Sequence, residues 1–496
     1  MNFREFIKNM GLFSAAASPM FFPPLLCALF YQEMAMALVF LLSVFLMAGA
    51  GGILFAVGKG SKRRLQQRET LGLVGAGWLL VALYGAIPYV LSGEFSFIDA
   101  YFESMSGFST TGASVLSDIE ALPKSLLFWR SFTHWLGGLG IILLLIIVLP
   151  FLGAGGKLLY RSEMPGLEKS SFKPRVKNSA LFLFKIYMGL TLIMTLLLLL
   201  AGMDLFDSLC HTFGTLATGG FSTRNASIAY YDSPLIECII SLFMIIAGTS
   251  FSLIYCFFVG EFRTIYKNGE WRLYLLILAA SVVLITWNVS SSDQSIPGLI
   301  GQEEADTDMG FPGLVRLTAF QTISTMTCTG FCVTDFNQWP DFSRMLLLML
   351  MIIGGCSGST SGGLKVVRVL LLVKMARWHL VQTFRPKDIR VFHVDNLVID
   401  KGLQNSILAY FTLYSLVFGM AVLALTASDM PVITSISAVA SCFNGVGPGL
   451  EQIGAVGNYG ALSALGKITL SLIMAMGRLE IYAICVLFLP SFWQKH

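Results

Sequence analysis

Long apolar segments recur along the whole chain, and polar segments separate them. Two apolar segments open the sequence, near 10–31 and 35–57. Each is about as long as the ~20 residues that a helix needs to cross a bilayer. Eight more follow in pairs, near 71–92 and 126–151, 180–202 and 235–260, 271–290 and 343–373, and 404–427 and 463–489. The hydropathy pattern therefore predicts about ten transmembrane helices.

Within each of the four pairs, the two apolar segments enclose a short half-apolar stretch that ends in a glycine-containing turn. Superposing the four stretches places Gly112, Gly219, Gly330 and Gly445 in register, at nearly equal separations along the chain. Near-constant spacing indicates an internal repeat of one supersecondary unit. The sequence therefore predicts four similar units that close around one axis.

The predicted fold class is an all-α polytopic membrane protein. Four M1–P-loop–M2 repeats, each with a re-entrant pore helix between two spans, surround a central pore with pseudo-fourfold symmetry. Two N-terminal transmembrane helices precede them. The predicted boundaries are 1–70 for these two helices and a basic loop, then 71–178, 179–270, 271–402 and 403–496 for the four repeats.

Composition and charge agree with a membrane protein. Of the 496 residues, 55% are hydrophobic and only 12% are charged, about half the charged share of a soluble domain. Most of the 33 Lys and Arg residues lie in the terminal segments and in the loops between units. Because cytoplasmic loops carry the excess of basic residues, both termini are predicted to be cytoplasmic, and the glycine turns open from the other side.

The sequence offers little for enzyme chemistry. The nine cysteines are scattered, mostly within apolar segments, without the spacing of a zinc site or a disulfide framework. HExxH, GxSxG and nucleotide-binding loop motifs do not occur. We therefore predict no enzyme activity, no organic cofactor and no nucleic-acid partner.

The four glycine turns are candidates for an ion filter. Irregular backbone at membrane depth is tolerated only where protein or a water-filled cavity surrounds it. Four such turns around one axis would direct carbonyl oxygens inward, where they replace the hydration shell of a cation. Ordinary turns between spans are the alternative, but their repetition in register favours the filter. The predicted filter residues are Thr110, Thr111, Gly112, Thr218, Gly219, Thr329, Gly330, Asn444 and Gly445.

The second apolar segment of the third unit contains a second anomaly. Its middle is rich in glycine and serine, which form helices poorly, so a broken helix is expected there. The break is either a mobile gate below the filter or a glycine-rich packing seam between helices, and the length of the tract favours the gate. The candidate gate residues are Gly354, Gly355, Ser357, Gly358, Ser359, Thr360, Ser361, Gly362 and Gly363.

Arg478 lies inside the last apolar segment and joins the candidate gate residues. An arginine at the centre of a membrane helix costs about 2.5–3.5 kcal/mol on insertion scales, so it should face protein or water. It is either a buried charge neutralised by carbonyls or a positive charge beside the pore that opposes cations. On the outer side, acidic residues are expected to concentrate cations at the mouth. These are Asp99, Glu103, Asp118, Glu120, Asp207 and Asp335.

The sequence resembles the Trk/Ktr/HKT superfamily of potassium transporters, and most of all the TrkH-type membrane subunit. The resemblance covers the chain from about residue 70 to the end, and the two opening helices fit the TrkH-type extension. It rests on the four turns, on the 354–363 loop, on Phe128-Trp129-Arg130-Ser131-Phe132, on Trp135-Leu136-Gly137-Gly138-Leu139-Gly140, and on Gly477-Arg478.

The resemblance implies a potassium pathway with one filter layer from each repeat, a gating loop in the third repeat and a blocking arginine in the fourth. It also implies a homodimer and a TrkA-like cytosolic subunit that binds nucleotide and regulates the gate. Family members with serine at the first filter glycine tend to pass sodium, so Gly112 implies potassium selectivity. The basic segment 365–401 is a candidate docking surface for the regulatory subunit.

The predicted function is potassium uptake across the bacterial inner membrane through a gated, channel-like pore. Potassium is then the transported ion, and the lipid bilayer is the protein's environment. The alternative is a secondary cation transporter coupled to sodium or protons. The usual mark of such transporters is a twofold inverted repeat, whereas the four units here share one orientation.

Overall fold

The structure, a computed structural model, describes residues 3–60, 67–148, 172–292, 310–385, 392–394, 397–399 and 401–494. The helices and strands within these ranges are α1 (Phe3–Ala17), α2 (Phe22–Phe30), α3 (Met34–Val57), α4 (Gln67–Gly85), α5 (Ile87–Ser92), α6 (Phe97–Phe108), α7 (Lys124–Val148), α8 (Phe172–Leu200), α9 (Leu205–Leu216), α10 (Pro234–Ala247), α11 (Phe251–Val259), α12 (Phe262–Lys267), α13 (Gly269–Ser290), α14 (Gly310–Met326), α15 (Asp341–Ile353), α16 (Val366–Phe384), β1 (Phe392–Val394), β2 (Leu397–Ile399), α17 (Lys401–Thr426), α18 (Val432–Asn444), α19 (Ala464–Arg478), α20 (Ile481–Cys485) and α21 (Pro490–Trp493).

Six continuous helical segments within the described ranges are long and apolar enough to cross a membrane. They are the two N-terminal spans and the first span of each predicted unit: Phe3–Phe30, Met34–Val57, Arg68–Ser92, Leu181–Leu200, Gly269–Ser290 and Gln404–Thr426. A seventh is the pair α10 and α11, bent by 100° at its break. The other predicted second spans correspond to α7, to α15 with α16, and to α19 with α20.

The first span begins earlier than its apolar core predicts, at Phe3 rather than near residue 10. It packs closely along α3, because glycines on both helices leave room for the neighbouring backbone. A Cβ added at Gly11 would fall within 3.0 Å of the Gly51 carbonyl oxygen, and one added at Gly51 would meet the backbone of Ala15. Small residues at a helix contact allow this close approach in membranes.

Four short helices lie between the spans of the four units, and each ends at one of the glycine turns. They are α6, α9, α14 and α18, and they contain 12 to 17 residues. Helices of this length reach only part of the way through a hydrocarbon core of about 30 Å. Most of their residues are buried against the spans, so they have the place and length predicted for re-entrant pore helices.

Hydrogen bonds join each unit to the next around a closed ring. The first unit binds the second, the second binds the third, the third binds the fourth, and the fourth returns to the first. The contacts are Ile119 N to Asn225 Oδ1 at 2.7 Å, Ile228 N to the Cys332 carbonyl at 3.2 Å, Asn337 Nδ2 to the Glu451 carbonyl at 2.9 Å, and Tyr459 N to the Ser114 carbonyl at 2.8 Å. The predicted ring of four units is thus present.

Among the residues that the structure describes, one small antiparallel hairpin departs from the helical architecture. Strands β1 and β2 pair with Phe392 opposite Ile399, in the segment between the third and fourth units. The predicted docking surface 365–401 is described only in part, and most of the basic loop 157–177 lies outside the described residues. The unit boundaries stay a prediction; α4, α8, α13 and α17 begin near them.

Candidate ion pathway

One backbone hydrogen bond recurs at the end of every pore helix and fixes the register of the four loops. In each case an amide beyond the helix donates to the carbonyl five residues earlier. The four bonds are Thr111 N to Ser106 O at 2.9 Å, Gly219 N to Gly214 O at 2.7 Å, Thr329 N to Ser324 O at 2.9 Å, and Val446 N to Ser441 O at 2.9 Å. We therefore define loop 1 (110–112), loop 2 (218–220), loop 3 (328–330) and loop 4 (445–447), each centred on one of these donors.

The backbone of the four loops alternates in the same way. The first and third residues of each loop have positive φ, and the middle residue does not. The φ values are +54° and +82° for Thr110 and Gly112, +54° and +82° for Thr218 and Gly220, +56° and +81° for Cys328 and Gly330, and +72° and +96° for Gly445 and Gly447. The four loops therefore share one alternating backbone pattern. Glycine occupies the third position in all four loops, because it adopts positive φ without strain.

This register corrects the predicted superposition in two units. The residue equivalent to Gly112 is Gly220 in the second unit, one residue beyond Gly219, and Gly447 in the fourth, two residues beyond Gly445. Asn444 precedes loop 4 instead of lying within it. Four loop residues were missing from the predicted set: Gly220, Cys328, Val446 and Gly447.

The glycine at the third position of each loop lies against the next loop around the ring. A Cβ added at any of them would come within 3.0 Å of a neighbouring carbonyl oxygen. The pairs are Gly112 with Gly219, Gly220 with Thr329, Gly330 with Val446, and Gly447 with Thr111. The four loops therefore form a closed circle in which adjacent backbones touch and no side chain separates them.

In two of the loops, the side chain at the middle position bonds to a hydroxyl two residues earlier in the chain. The hydroxyl of Thr111 lies 2.7 Å from that of Ser109, and the hydroxyl of Thr329 lies 2.8 Å from that of Thr327. Asn444, the residue before loop 4, directs its side chain to the hydroxyl of Tyr414, with Nδ2 donating at 3.0 Å. These polar groups brace the loops from the protein side, and the Asn444 amide is not placed as a filter ligand.

A buried ion pair ties loops 1 and 2 to their helices. The Arg130 Nε donates to the Glu103 carboxylate at 2.7 Å, and both side chains are at most 1% exposed. The same carboxylate accepts from Ser114, just after loop 1. The Arg130 guanidinium also donates to the Ser222 carbonyl and stacks over the Phe221 ring at 4.1 Å, just after loop 2. One pair thus positions the backbone of two units.

Breaking this ion pair should destabilise the protein more than breaking an exposed one. Arg130→Met would leave the Glu103 carboxylate buried without its cation, which lowers the free energy of unfolding by about 3–5 kcal/mol. Asp341→Asn is the matched control, because the Asp341 side chain is 98% exposed in its pair with Arg344, and exposed pairs contribute about 0–1 kcal/mol. Thermal unfolding of the detergent-solubilised variants measures both. Equal shifts in the two variants would contradict this role for the buried pair.

The predicted acidic residues have local hydrogen-bond or ion-pair partners, and their effect on cations at the mouth stays a prediction. Asp207 accepts hydrogen bonds from Thr223, Arg224 and Tyr231. Asp99 pairs with Lys467 at 2.5 Å. The remaining acids also have local partners: Arg130 for Glu103, Asn225 for Asp118 and Glu120, and Asn337 for Asp335. The Asn225 side chain donates to Asp118 and lowers the pKa of that carboxyl. Glu103 and Asp207 thereby support the segments that follow loops 1 and 2.

A cavity of about 340 Å³ lies beside the loop circle, on the side of the segments that follow the loops. The glycine at the third position of every loop lines the cavity: Gly112, Gly220, Gly330 and Gly447. Arg130, Arg224 and Tyr459 line it as well. All four units therefore contribute backbone to one shared vestibule.

The predicted break in the third unit is present as a glycine-rich loop (354–365) between α15 and α16. Gly354, Gly358 and Gly363 have positive φ, as does Lys365 at +76°. The loop returns on itself, because the Leu364 and Lys365 amides bond the carbonyls of Ile352 and Ile353 at the end of α15. Inside it, the Ser361 hydroxyl accepts from the Gly355 amide at 3.0 Å. It is a folded element within the protein interior.

The glycine-rich loop contacts helix ends in the second and fourth units. The Thr360 hydroxyl donates to the carbonyl of Leu216, at the end of α9, and to that of Ala247, at the end of α10. A Cβ at Gly362 would collide with the Asn444 carbonyl, just before loop 4. The remaining candidate gate residues lie in the same buried segment: Gly354, Gly355, Ser357, Gly358, Ser359, Ser361 and Gly363.

Arg478 meets this loop from the fourth unit. It is 8% exposed, its Nη1 donates to the Thr360 carbonyl at 2.5 Å, and its Nη2 donates to the Gly137 carbonyl at 3.1 Å. Within the described ranges no carboxylate pairs with it. Glu480 instead pairs with Arg368 at 2.7 Å. Arg478 is therefore a buried cation held by carbonyls that also joins the glycine-rich loop to the first unit.

The second spans of the second and fourth units are interrupted as well, although the sequence predicted a break only in the third. The break after α10 leaves the Gly248 carbonyl free to accept from Cys356 N at 2.9 Å. The break after α19 comes at Glu480, which has a φ of +65° and turns toward Arg368. Both breaks supply partners to the glycine-rich loop or to the helix that follows it.

The chain matches known proteins over its whole length. Residues 39–495 match the family model TrkH, described as a cation transport protein. The chain is 34% identical to the Trk system potassium uptake protein TrkH of Halomonas elongata and 35% identical to that of Escherichia coli, over all of both chains in each case. It is 32% identical to the Escherichia coli protein TrkG over 95% of each chain.

Among solved structures, the chain resembles the potassium transporter TrkH of Vibrio parahaemolyticus. The TM-score is 0.88 at 32% identity, and the alignment covers all of both chains. This likeness confirms the predicted family resemblance and fold class. The relatives are named as potassium transporters rather than enzymes, as predicted.

Proposed function

The chain belongs to the TrkH family of cation transport proteins of the Trk potassium uptake systems, and from that premise we propose that it conducts potassium through a gated pore. The four loops form the selectivity filter. The residues that supply carbonyl oxygens are Thr110, Thr111, Gly112, Thr218, Gly219, Gly220, Cys328, Thr329, Gly330, Gly445, Val446 and Gly447.

The observation that carries this proposal is the repetition of one backbone conformation in four loops that touch around a ring. Carbonyl oxygens arranged in rings replace the water that a cation loses on entry. The middle threonines bond behind the loops, which leaves the backbone to face the ion. Because the bracing contacts come from all four units, the width of the ring is set by the fold as a whole.

The glycine-rich loop and Arg478 are the gate. Their contacts support this role: they join helix ends of the second and fourth units and Gly137 of the first. A cation that leaves the filter on this side meets a folded loop and a buried positive charge. Conduction then requires the loop to move and the bonds from Thr360 and Arg478 to open.

The setting follows from the same proposal. The protein lies in the bacterial inner membrane with both termini in the cytoplasm, where each 100 mV of inside-negative potential contributes about 2.3 kcal/mol per potassium ion. It works as a homodimer with a TrkA-like nucleotide-binding subunit in the cytosol, which controls the gate. The basic segment 365–401 is the docking surface for that subunit.

Flux into liposomes tests the proposal against a coupled transporter. Purified protein is reconstituted without sodium or proton gradients, the potential is clamped with an ionophore, and rubidium uptake is measured. We expect uptake that follows the potential alone and is at least about tenfold slower for sodium, a ratio that corresponds to ~1.4 kcal/mol. Uptake that requires a sodium or proton gradient at fixed potential would support the coupled transporter instead. Empty liposomes with the same ionophore are the control.

A further inference from the structure

One of the four loops lacks a side chain at its middle position. Loops 1, 3 and 4 carry Thr111, Thr329 and Val446 there, whereas loop 2 carries Gly219. The backbone does not demand this glycine, because its φ is not positive. All three equivalent residues are β-branched and adopt the same place in the loop. A threonine would therefore suit the conformation of loop 2, and the reason for the glycine lies in its surroundings.

The space beside Gly219 is filled by His134, from the second span of the first unit. The imidazole Nδ1 occupies the place where a Cβ on Gly219 would stand. The same ring packs edge-on against Phe221, with 4.2 Å between ring centroids. His134 is fully buried. The side chain that backs loop 2 at this position thus belongs to a neighbouring unit.

His134 lies one helical turn after Arg130, so both side chains project from the same face of α7. Arg130 stacks over Phe221 and donates to the Ser222 carbonyl. His134 also contacts Phe221, and its ring reaches Gly219. Two residues of one helix therefore hold loop 2 at its middle and just beyond its end.

An apolar side chain occupies the corresponding place in the third unit. Met351 lies three residues before Gly354, as His134 does before Gly137, and it packs in one buried cluster with Val446 of loop 4. There the loop keeps its own side chain and an adaptable methionine fits around it. At loop 2, a polar ring replaces the methionine, and neither of its nitrogens has a hydrogen-bond partner in the described part of the chain. Burial of an imidazole without hydrogen-bond partners costs folding free energy. We therefore attribute the presence of His134 to the way its ring fills the space beside loop 2.

We infer that His134 is a positioning residue that sets the ion specificity of the filter, because its ring substitutes for the side chain missing from Gly219 of loop 2. The inference deepens the proposed function and rests on it. Gly219 and His134 share one packing space, so a larger residue at position 219 requires a smaller one at position 134. Loss of the ring alone leaves a gap behind loop 2, which lets the Gly219 backbone shift and relaxes the choice between potassium and sodium.

A double-mutant cycle tests this pairing. Gly219→Thr, His134→Ala and the combined variant are reconstituted in liposomes, and rubidium and sodium fluxes are measured. We expect Gly219→Thr to lose at least tenfold of its rubidium flux and His134→Ala to lower the rubidium-to-sodium ratio at least threefold. The combined variant should recover most of the flux and ratio, since the threonine introduced into loop 2 takes up the space that the ring leaves. Additive losses would overturn the inference.

A second readout keeps the test decisive if Gly219→Thr does not fold. The pair Gly219→Ala and His134→Ala, singly and combined, is followed by thermal unfolding in detergent, and the inference expects the combined variant to be more stable than Gly219→Ala alone. Met351→Ala is the matched control, because it removes a buried side chain beside loop 4 and should not rescue either Gly219 variant. Rescue by Met351→Ala would refute a specific pair. If the wild type carries no rubidium, the proposed function fails. The unfolding measurements still report whether residues 219 and 134 are coupled in stability.

Discussion

Gly112→Ser should raise sodium flux relative to rubidium flux by about tenfold or more, and it should lower rubidium flux. Gly112 has a φ of +82°, a conformation that costs a residue with a side chain about 1–2 kcal/mol. Its Cβ would also collide with the Gly219 carbonyl oxygen of loop 2. To relieve both, the loop must shift, and the carbonyls around the ring then fit a dehydrated potassium ion less well. A tenfold change in the ratio corresponds to ~1.4 kcal/mol.

Gly93→Ser separates the effect of the ring from that of the strained backbone. Gly93 also has a φ of +82°, but nothing lies within 4 Å of an added Cβ. The two variants therefore impose similar backbone strain, and only Gly112→Ser disturbs a neighbouring loop. Paired rubidium and sodium flux measurements in liposomes compare them. An unchanged flux ratio in Gly112→Ser would contradict the filter assignment, as would an equal change in Gly93→Ser.

Arg478→Ala should increase rubidium flux through the isolated protein about tenfold or more. The substitution removes the donors to the Thr360 and Gly137 carbonyls, so the glycine-rich loop loses one of its ties to the first and fourth units. A hydrogen bond from a charged donor contributes about 1.5–3 kcal/mol, which is a factor of roughly ten to a hundred in the equilibrium between closed and open loop. Removal of the buried positive charge also lowers the barrier to a cation on the same path.

Lys467→Met provides the matched control for Arg478→Ala. Lys467 lies on the same helix, α19, and also loses a positive charge, but it pairs with Asp99 near the beginning of the helix. We expect its flux to stay close to that of the wild type. Size-exclusion chromatography and thermal unfolding establish that each variant is folded. A folded Arg478→Ala protein with unchanged or lower flux would contradict a gating role.

Periodicity made the overall architecture predictable from the sequence. The apolar segments located the two N-terminal spans and the first span of each unit within a few residues, apart from the start of α1. The glycine-rich tract 354–363 predicted an interruption because ten residues without a large apolar side chain form a helix poorly. The position of Arg478 required a buried environment, and the structure gives it carbonyl partners.

The register of the loops was harder to predict, because it depends on backbone conformation. In loop 2 the sequence offers two adjacent glycines, and only the second has positive φ. In loop 4 the two glycines, Gly445 and Gly447, are at the first and third positions and both have positive φ. The prediction matched the first of them to Gly112, which is at the third position of loop 1. A signal was available in the residue after the glycine: Phe221 and Phe331 both follow the correct glycine and are both buried. Alignment on these aromatics would have selected Gly220.

The roles of the acids and the extra helix breaks depend on contacts between distant parts of the chain. Glu103 and Arg130 become partners only when α6 packs against α7. Gly248 shows no unusual local composition, and its carbonyl is needed by Cys356 of another unit. His134 looks like a solitary histidine in an apolar helix until Gly219 is placed beside it. Pairwise information of this kind is absent from a single sequence.

The most direct test of the central claim is to locate ions in crystals of the protein soaked in rubidium or thallium, by anomalous scattering. We predict anomalous peaks on the axis of the ring, between the carbonyls of Thr110–Gly112 and those of the equivalent residues in loops 2, 3 and 4. Soaks with sodium should remove these peaks, and Gly112→Ser crystals should show weaker ones. Peaks elsewhere in the protein, with none on the axis of the four loops, would contradict the account.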